Sequence, residues 1–204
     1  RAKLFAFLEP PMRTFQRYRE NDNSIDARYA RAIAAYRKPD LATALPLIDG
    51  LIAERPDDPF FHELKGQMLF ENGRGAEAVA PYRRAVELLP DSALLHIGLA
   101  QVQIEQEDTA TLAEAKKHLN LAVQREPGNR TAWRLLAIAH GRDGDEGMAA
   151  YAMAEEAILD GRLPDANYHA GKAERLLPKS GPVWLRIQDI KEQAAQVKEE
   201  RERR

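Results

Sequence analysis

Cysteine is absent from the 204 residues, which removes disulfides, thiolate catalysis and cysteine-based zinc sites together. An excess of one charge is missing as well. The 30 basic and 32 acidic residues leave a formal net charge of -2, mixed along the chain. With no basic block to meet a phosphate backbone, the chain is not expected to bind nucleic acid. No apolar run approaches the roughly 20 residues a helix needs to cross a bilayer, so no membrane span is expected. No Gly-rich phosphate loop is present, since Asn72-Gly73-Arg74-Gly75 has the composition of a helix–helix turn. No serine or threonine sits in a nucleophile context. What remains is an ordinary globular balance, 44% hydrophobic and 30% charged, enough for a core. A chain without cysteine suits the cytoplasm and the periplasm equally. It opens at Arg1 rather than methionine, and is therefore expected to be a piece of a longer protein.

Three phrases recur: IAERPDD at 52–58, VELLPDS at 86–92 and VQREPGN at 123–129. Each reads as a helix end, a proline, then turn residues. Pro56 to Pro90 is 34 residues, and Pro90 to Pro127 is 37, one repeat plus a three-residue insertion around Asp108-Thr109-Ala110. Within that frame small residues recur at Ala32, Gly66, Ala100 and Ala137, and again at Ala44, Ala78, Ala115 and Ala149. Small side chains at fixed spacing let paired helices approach to about 8–10 Å. The prolines lack an N–H and stop the second helix of each pair. The spacing predicts helices near 26–37, 41–54, 59–72, 75–88, 92–106, 111–125, 130–142, 146–160, 164–176 and 180–199. After residue 160 the strict pairing is expected to loosen, because Pro178 lies 51 residues past Pro127.

This pattern resembles the tetratricopeptide repeat, W-x2-L-G-x2-Y…A-x3-F…P. The resemblance implies an all-α, right-handed superhelix (solenoid) of antiparallel helical hairpins, with about four to five repeats. Residues 1–24 are read as a helical connector, with a short apolar helix stopped by Pro10 and a second opening at Pro11 and running to about Glu20. Residues 25–178 are read as the repeats. Residues 179–204 are read as a capping helix with a charged tail, carrying an apolar stripe of Trp184, Ile187, Ala194 and Val197 and the spaced pairs Glu199–Arg203 and Glu200–Arg204.

By analogy with the family, fixed positions on the first helix of each hairpin line a concave groove. Here these are Tyr29, Ile33, Tyr36 and Arg37, then Phe60, Glu63, Gln67 and Phe70, then Ile97, Gln101 and Ile104, and finally Arg134, Ile138 and Arg142. The mixture suits a polypeptide segment or partner protein. It does not assemble the lysine/asparagine/arginine clamp with which chaperone-binding members hold a C-terminal carboxylate.

Five histidines raise the question of a metal. His62 and His96 share one repeat position, and equivalent positions lie on the order of 10 Å apart, too far to share a zinc ion bonded at about 2 Å. His62-Glu63 begins like H-E-x-x-H, but Gly66 stands where the second ligand belongs. No catalytic residue, cofactor or metal site is expected in this chain.

The segments KLFAFLEPPMRTFQRY, ARYARAIAAYRKPDL, PLIDGLIAERPDDPFFHELKGQMLFENGR and WRLLAIAHGRDGDEGMAAYAMAEEAILDGR resemble the C-terminal region of BepA-like zinc metallopeptidases of Gram-negative bacteria. That resemblance implies a periplasmic location, a peptidase domain upstream that holds the zinc, and a role in quality control of outer-membrane proteins. The repeats would recognise substrate and could pack on their own peptidase domain. A stand-alone scaffold with no enzyme attached is the alternative, and a metal or small-molecule enzyme built on a helical array is a third.

Overall fold

Sequence-local signals set where the helices begin and end. In the computed structural model, which describes residues 2–106 and 108–202 with side chains to Gln196, twelve helices and no strand occur among the described residues. The chain divides into two compact units, Arg1–Pro90 and Asp91–Arg204.

The first unit holds α1 (Ala2–Leu8), α2 (Pro11–Arg17), α3 (Ile25–Arg37), α4 (Leu41–Glu54), α5 (Pro59–Glu71) and α6 (Gly75–Leu88). Helices α3 and α4 pair as one hairpin and α5 and α6 as the next, with α4 packed on α5. Carboxylates and hydroxyls open these helices. The side chains of Ser24, Asp40 and Asp58 accept from the backbone N–H of Ala27, Thr43 and Phe60 at 3.3, 3.0 and 3.0 Å. Each satisfies one of the donors a helix N-terminus leaves unpaired. Pro56 and Pro90 follow the ends of α4 and α6 by two residues, as a residue without an N–H should.

The core of this unit is built from α3, α4 and α5: Ile33, Ile48, Leu51, Leu64 and Met68 are all but inaccessible. Gly66 sets the α5–α6 approach. A Cβ built there would fall 2.6 Å from Cδ2 of Tyr82, so the ring fills the space that a side chain at this position would need. Gly73 closes the turn between these helices at φ +74°, in the left-handed region that costs glycine least.

The connector is tied to α3 by a buried arginine. Arg31 is 6% exposed, and its guanidinium donates to the carbonyl oxygens of Tyr18, Arg19 and Asp22. Helix α2 ends at Arg17, three residues before the expected Glu20. Those three carbonyls belong to the non-helical stretch that Arg31 holds.

The second unit holds α7 (Ala93–Ile104), α8 (Thr109–Arg125), α9 (Arg130–Arg142), α10 (Glu146–Leu159), α11 (Leu163–Leu176) and α12 (Gly181–Glu202). Asp108 accepts from Thr111 N–H at 2.9 Å, so the extra residues Thr109 and Ala110 become the first turn of α8. The insertion lengthens a helix instead of forming a loop. Nor does pairing loosen after residue 160. Helix α11 packs on both α10 and α12, and Leu177 lies where a Cβ on Gly147 of α10 would fall, 2.7 Å away. Gly161, at φ +69°, makes the turn that proline makes in earlier repeats. Pro178 instead lies between the two helices of the last hairpin, which explains its odd spacing.

On α12, Ile187, Ile190 and Ala194 are buried and Trp184 is half-buried. The side chain of Val197 and the pairs Glu199–Arg203 and Glu200–Arg204 lie outside the described residues.

Candidate functional site

In the first unit, α3 and α5 carry the eight residues that the repeat register assigns to a groove. Tyr29 and Ile33 are buried, at 8% and 0% exposure, and form the floor of the surface. The Tyr29 hydroxyl donates to the carbonyl of Phe60 at 3.4 Å, and its ring meets Phe61 edge-on at 5.0 Å. Burial and the nearby Glu63 carboxylate both keep that phenol protonated. Tyr36, half-buried, donates to Glu71, which also accepts from Gln67 at 2.9 Å. Phe70 is half-buried and Phe60 is 43% exposed.

This surface is not empty: α1 lies on it. Ala2 and Ala6 are buried in one apolar cluster with Tyr29 and Ile33. Lys3 Nζ stands 3.0 Å from Glu63 Oε2 and 5.1 Å from the centre of the Phe60 ring. Arg37 donates to the carbonyl of Ala6 at 2.7 Å and to that of Glu9. Three of the assigned residues, Arg37, Phe60 and Glu63, are thus engaged by the chain's own first helix. The sequence carried one signal of this, Ala2 and Ala6 four residues apart, but helical spacing marks a docking face without saying what it docks on.

In the second unit, α7 and α9 supply the rest. Ile97 and Ile104 are buried at 7% and 4%, while Ile138 is 40% exposed, Arg134 is exposed and Gln101 half-buried. Leu94, on the same face of α7 as Ile97, is 57% exposed. Arg142 donates to the carbonyl of Ile104, one of the carbonyls that a helix C-terminus leaves unpaired. Beside this pair lies an open cleft of about 370 Å³, lined by Ile104, Asp108, Thr109, Leu112 and Arg142.

The histidines serve packing. Nε2 of His62 sits 2.8 Å from the carbonyl of Pro56, and Nε1 of Trp133 donates to the carbonyl of Pro127 at the same 2.8 Å. The two residues hold one repeat position, and each ties the start of its hairpin to the proline turn six residues back. His96 and His118 face each other with Nδ1 atoms 2.8 Å apart, a distance that needs one N–H and one lone pair. Among the described residues no three His, Cys, Asp or Glu side chains are grouped to hold a metal ion.

His140 is 8% exposed, and burial holds its imidazole below the ordinary 6.5, against the opposing pull of Asp145. Burial also lowers His169. Both rings are therefore neutral in the fold over a range where the unfolded chain takes up protons. Their contribution is complete above about pH 6.5 and is lost as pH falls through the folded values. We expect the urea midpoint to drop between pH 7.5 and 5.5, and the drop to shrink in a His140→Gln/His169→Gln variant. An unchanged or higher wild-type midpoint at pH 5.5 would contradict this.

Comparison with known proteins agrees with the geometry. One tetratricopeptide repeat model matches residues 13–59 and 29–93, and a second matches 69–137. The beta-barrel assembly-enhancing protease of Yersinia pestis is 25% identical over 140 residues, covering 69% of this chain and 28% of the relative. The cellulose synthase operon protein C of Pseudomonas fluorescens (strain SBW25) is 29% identical over 119 residues, covering 58% of this chain and 9% of the relative. The chain thus spans less than a third of the length of either relative. Among solved structures, YrrB, described as a TPR protein with an unusual peptide-binding site, superposes with a TM-score of 0.67 at 17% identity, over 84% of this chain and 88% of that one. Likeness at that identity speaks to the fold. With its hairpins, small-residue contacts and proline turns matched by repeat models that together run from residue 13 to residue 137, the chain belongs to the tetratricopeptide repeat family, whose domains bind other proteins.

Proposed function

We propose that this chain is the polypeptide-recognition part of a periplasmic zinc metallopeptidase acting in envelope protein quality control. The observation that carries the reading is the match to the beta-barrel assembly-enhancing protease over 69% of the chain. The zinc chemistry would belong to a peptidase domain outside this chain, and the repeats would hold the substrate or pack against that domain.

The surface of choice for an incoming segment is the exposed face of α7 and α9. Leu94 and Ile138 offer apolar contact there and Arg134 offers charge, the combination that orients a peptide without demanding one sequence. A stand-alone scaffold with no enzyme attached is the second reading.

Because the chain lacks cysteine, single cysteines at Leu94 and at Ile138 can each carry a photo-crosslinker. We expect both positions to capture an unfolded outer-membrane β-barrel protein. Ile138→Asp should weaken binding by about tenfold, or about 1.4 kcal/mol, without moving the melting temperature. Failure of both positions to crosslink would remove this face from consideration. An upstream reading frame without H-E-x-x-H would favour the scaffold.

A further inference from the structure

We propose that the cleft between the connector, α3 and α4 is a carboxylate-binding site, and that its ligand is a carboxylate borne on a small apolar group. A free carboxylic acid and the C-terminal residue of a polypeptide share that chemistry. The site lies within the first unit and has no residue in common with the α7–α9 face.

The cleft has a volume of about 350 Å³, at the small end of the usual range for ligand pockets, ~300–1,000 Å³. Arg28 and Arg31 line it from α3, Leu47 from α4 and Phe15 from α2. Arg31 is 6% exposed, and a cation that deep ordinarily faces a carboxylate. Among the described residues its partners are instead the carbonyls of Tyr18, Arg19 and Asp22, all reached through Nη1. The Asp22 carboxylate turns Oδ1 to the Ser24 N–H, at 3.0 Å. Nε and Nη2 of Arg31 thus carry no hydrogen bond to a described residue. These two atoms form the edge of a guanidinium whose parallel N–H groups match the two oxygens of a carboxylate. One turn earlier on the same face of α3, Arg28 donates through Nη2 to Glu54, and its Nε is buried without a partner. An unpaired buried N–H is costly, and an acceptor in the cleft would satisfy it.

Two cations alone would suit phosphate as well as carboxylate. The walls favour the carboxylate: Phe15 and Leu47 are half-buried and offer apolar surface to a carbon skeleton, which inorganic phosphate lacks. Glu20, exposed, also lines the cleft, and its charge repels a dianion more than a monoanion.

The test uses the whole chain, labelled with nitrogen-15, and follows the Nε–H signals of Arg28 and Arg31. The probes are 4-methylpentanoate and acetyl-glycyl-leucine, each as the free acid and as the amide. We expect at least one acid to shift both signals saturably, with a dissociation constant below about 1 mM, a modest demand on a ligand of this size. Neither amide should do so. Arg31→Lys keeps a cation for the carbonyls but removes the two-pronged edge, and should weaken acid binding at least tenfold. Leu47→Glu, at a half-buried wall, should do the same by repulsion and serves if Arg31→Lys does not fold. Glu20→Gln should tighten binding two- to threefold. Binding of the peptide acid alone would assign the site to a chain end, and binding of 4-methylpentanoate alone to a free acid; either upholds it. The inference is overturned if no acid binds saturably, if the amides bind as well as the acids, or if both weakening variants bind like wild type. The crosslinks at Leu94 and Ile138 do not involve this cleft, so either result leaves the proposed function to its own test.

Discussion

Arg186→Ala should lower the melting temperature by roughly 10 °C, the largest single-site loss expected in the second unit. The reason is the carboxylate it leaves behind. Glu155 on α10 is 5% exposed and accepts from Nε and Nη2 of Arg186 on α12, both at 2.8 Å. The Tyr151 hydroxyl also donates to it, at 2.9 Å. Removing the guanidinium strands a buried charge, which costs about 3–5 kcal/mol where no water reaches it. Arg186 is 39% exposed along its side chain, so water can enter the vacated space, and we place the loss near about 3 kcal/mol. Replacing both partners, Glu155→Gln with Arg186→Met, should recover most of the stability, because the cost lies in the unpaired charge. Circular dichroism melts, with Trp184 on α12 as a local fluorescent probe, would measure this. A melting temperature equal to wild type for Arg186→Ala would show the pair to be dispensable.

Gly66→Leu should cost about 3 kcal/mol, at the upper end for overpacking. A Cβ at this position already meets three atoms of the Tyr82 ring at 2.6, 2.8 and 2.9 Å. Tyr82 is 7% exposed, so the ring cannot simply swing into solvent, and α6 must move away from α5. Gly66→Ala should show a smaller loss of the same kind. Tyr82→Ala in the Gly66→Leu background should give back part of the stability, since the two residues occupy one volume and their effects will not add. Hydrogen exchange of the α5 and α6 amides is the direct readout. Unchanged protection in Gly66→Leu would mean that the glycine is not what sets the spacing of this hairpin.

The contrast between these two residues separates what was legible from what was not. Gly66 could be picked out from the chain because it sits in register with Ala32, Ala100 and Ala137, and a small residue at a repeated spacing has one packing use. Arg186 looked like any arginine on a charged helix. Its value comes from Glu155, 31 positions away, and nothing local to either residue announces the pair. The same holds for His96 and His118, and for Arg31 holding the connector.

Among the groove residues, the register alone placed Ile138 and Ile33 in one class. The structure exposes the first at 40% and the second not at all, because α1 lies over α3 and no described helix of the second unit does the same to α9. Exposure is a property of what packs against a residue, and packing is not periodic. The insertion at Asp108 differs in kind. Its signal was present, since an aspartate three residues before Thr111 is a helix cap, but by repeat spacing alone those residues count as surplus.

Helix ends, hairpin period and the points of closest approach were determined by the sequence itself, because caps, prolines and small side chains act on neighbours within a turn or within one repeat. Tertiary structure decided which faces remain open, which charges are buried in pairs and where the first seven-residue helix comes to rest. Those outcomes depend on groups brought together from distant points in the chain, whose mutual burial outweighs what either would do alone.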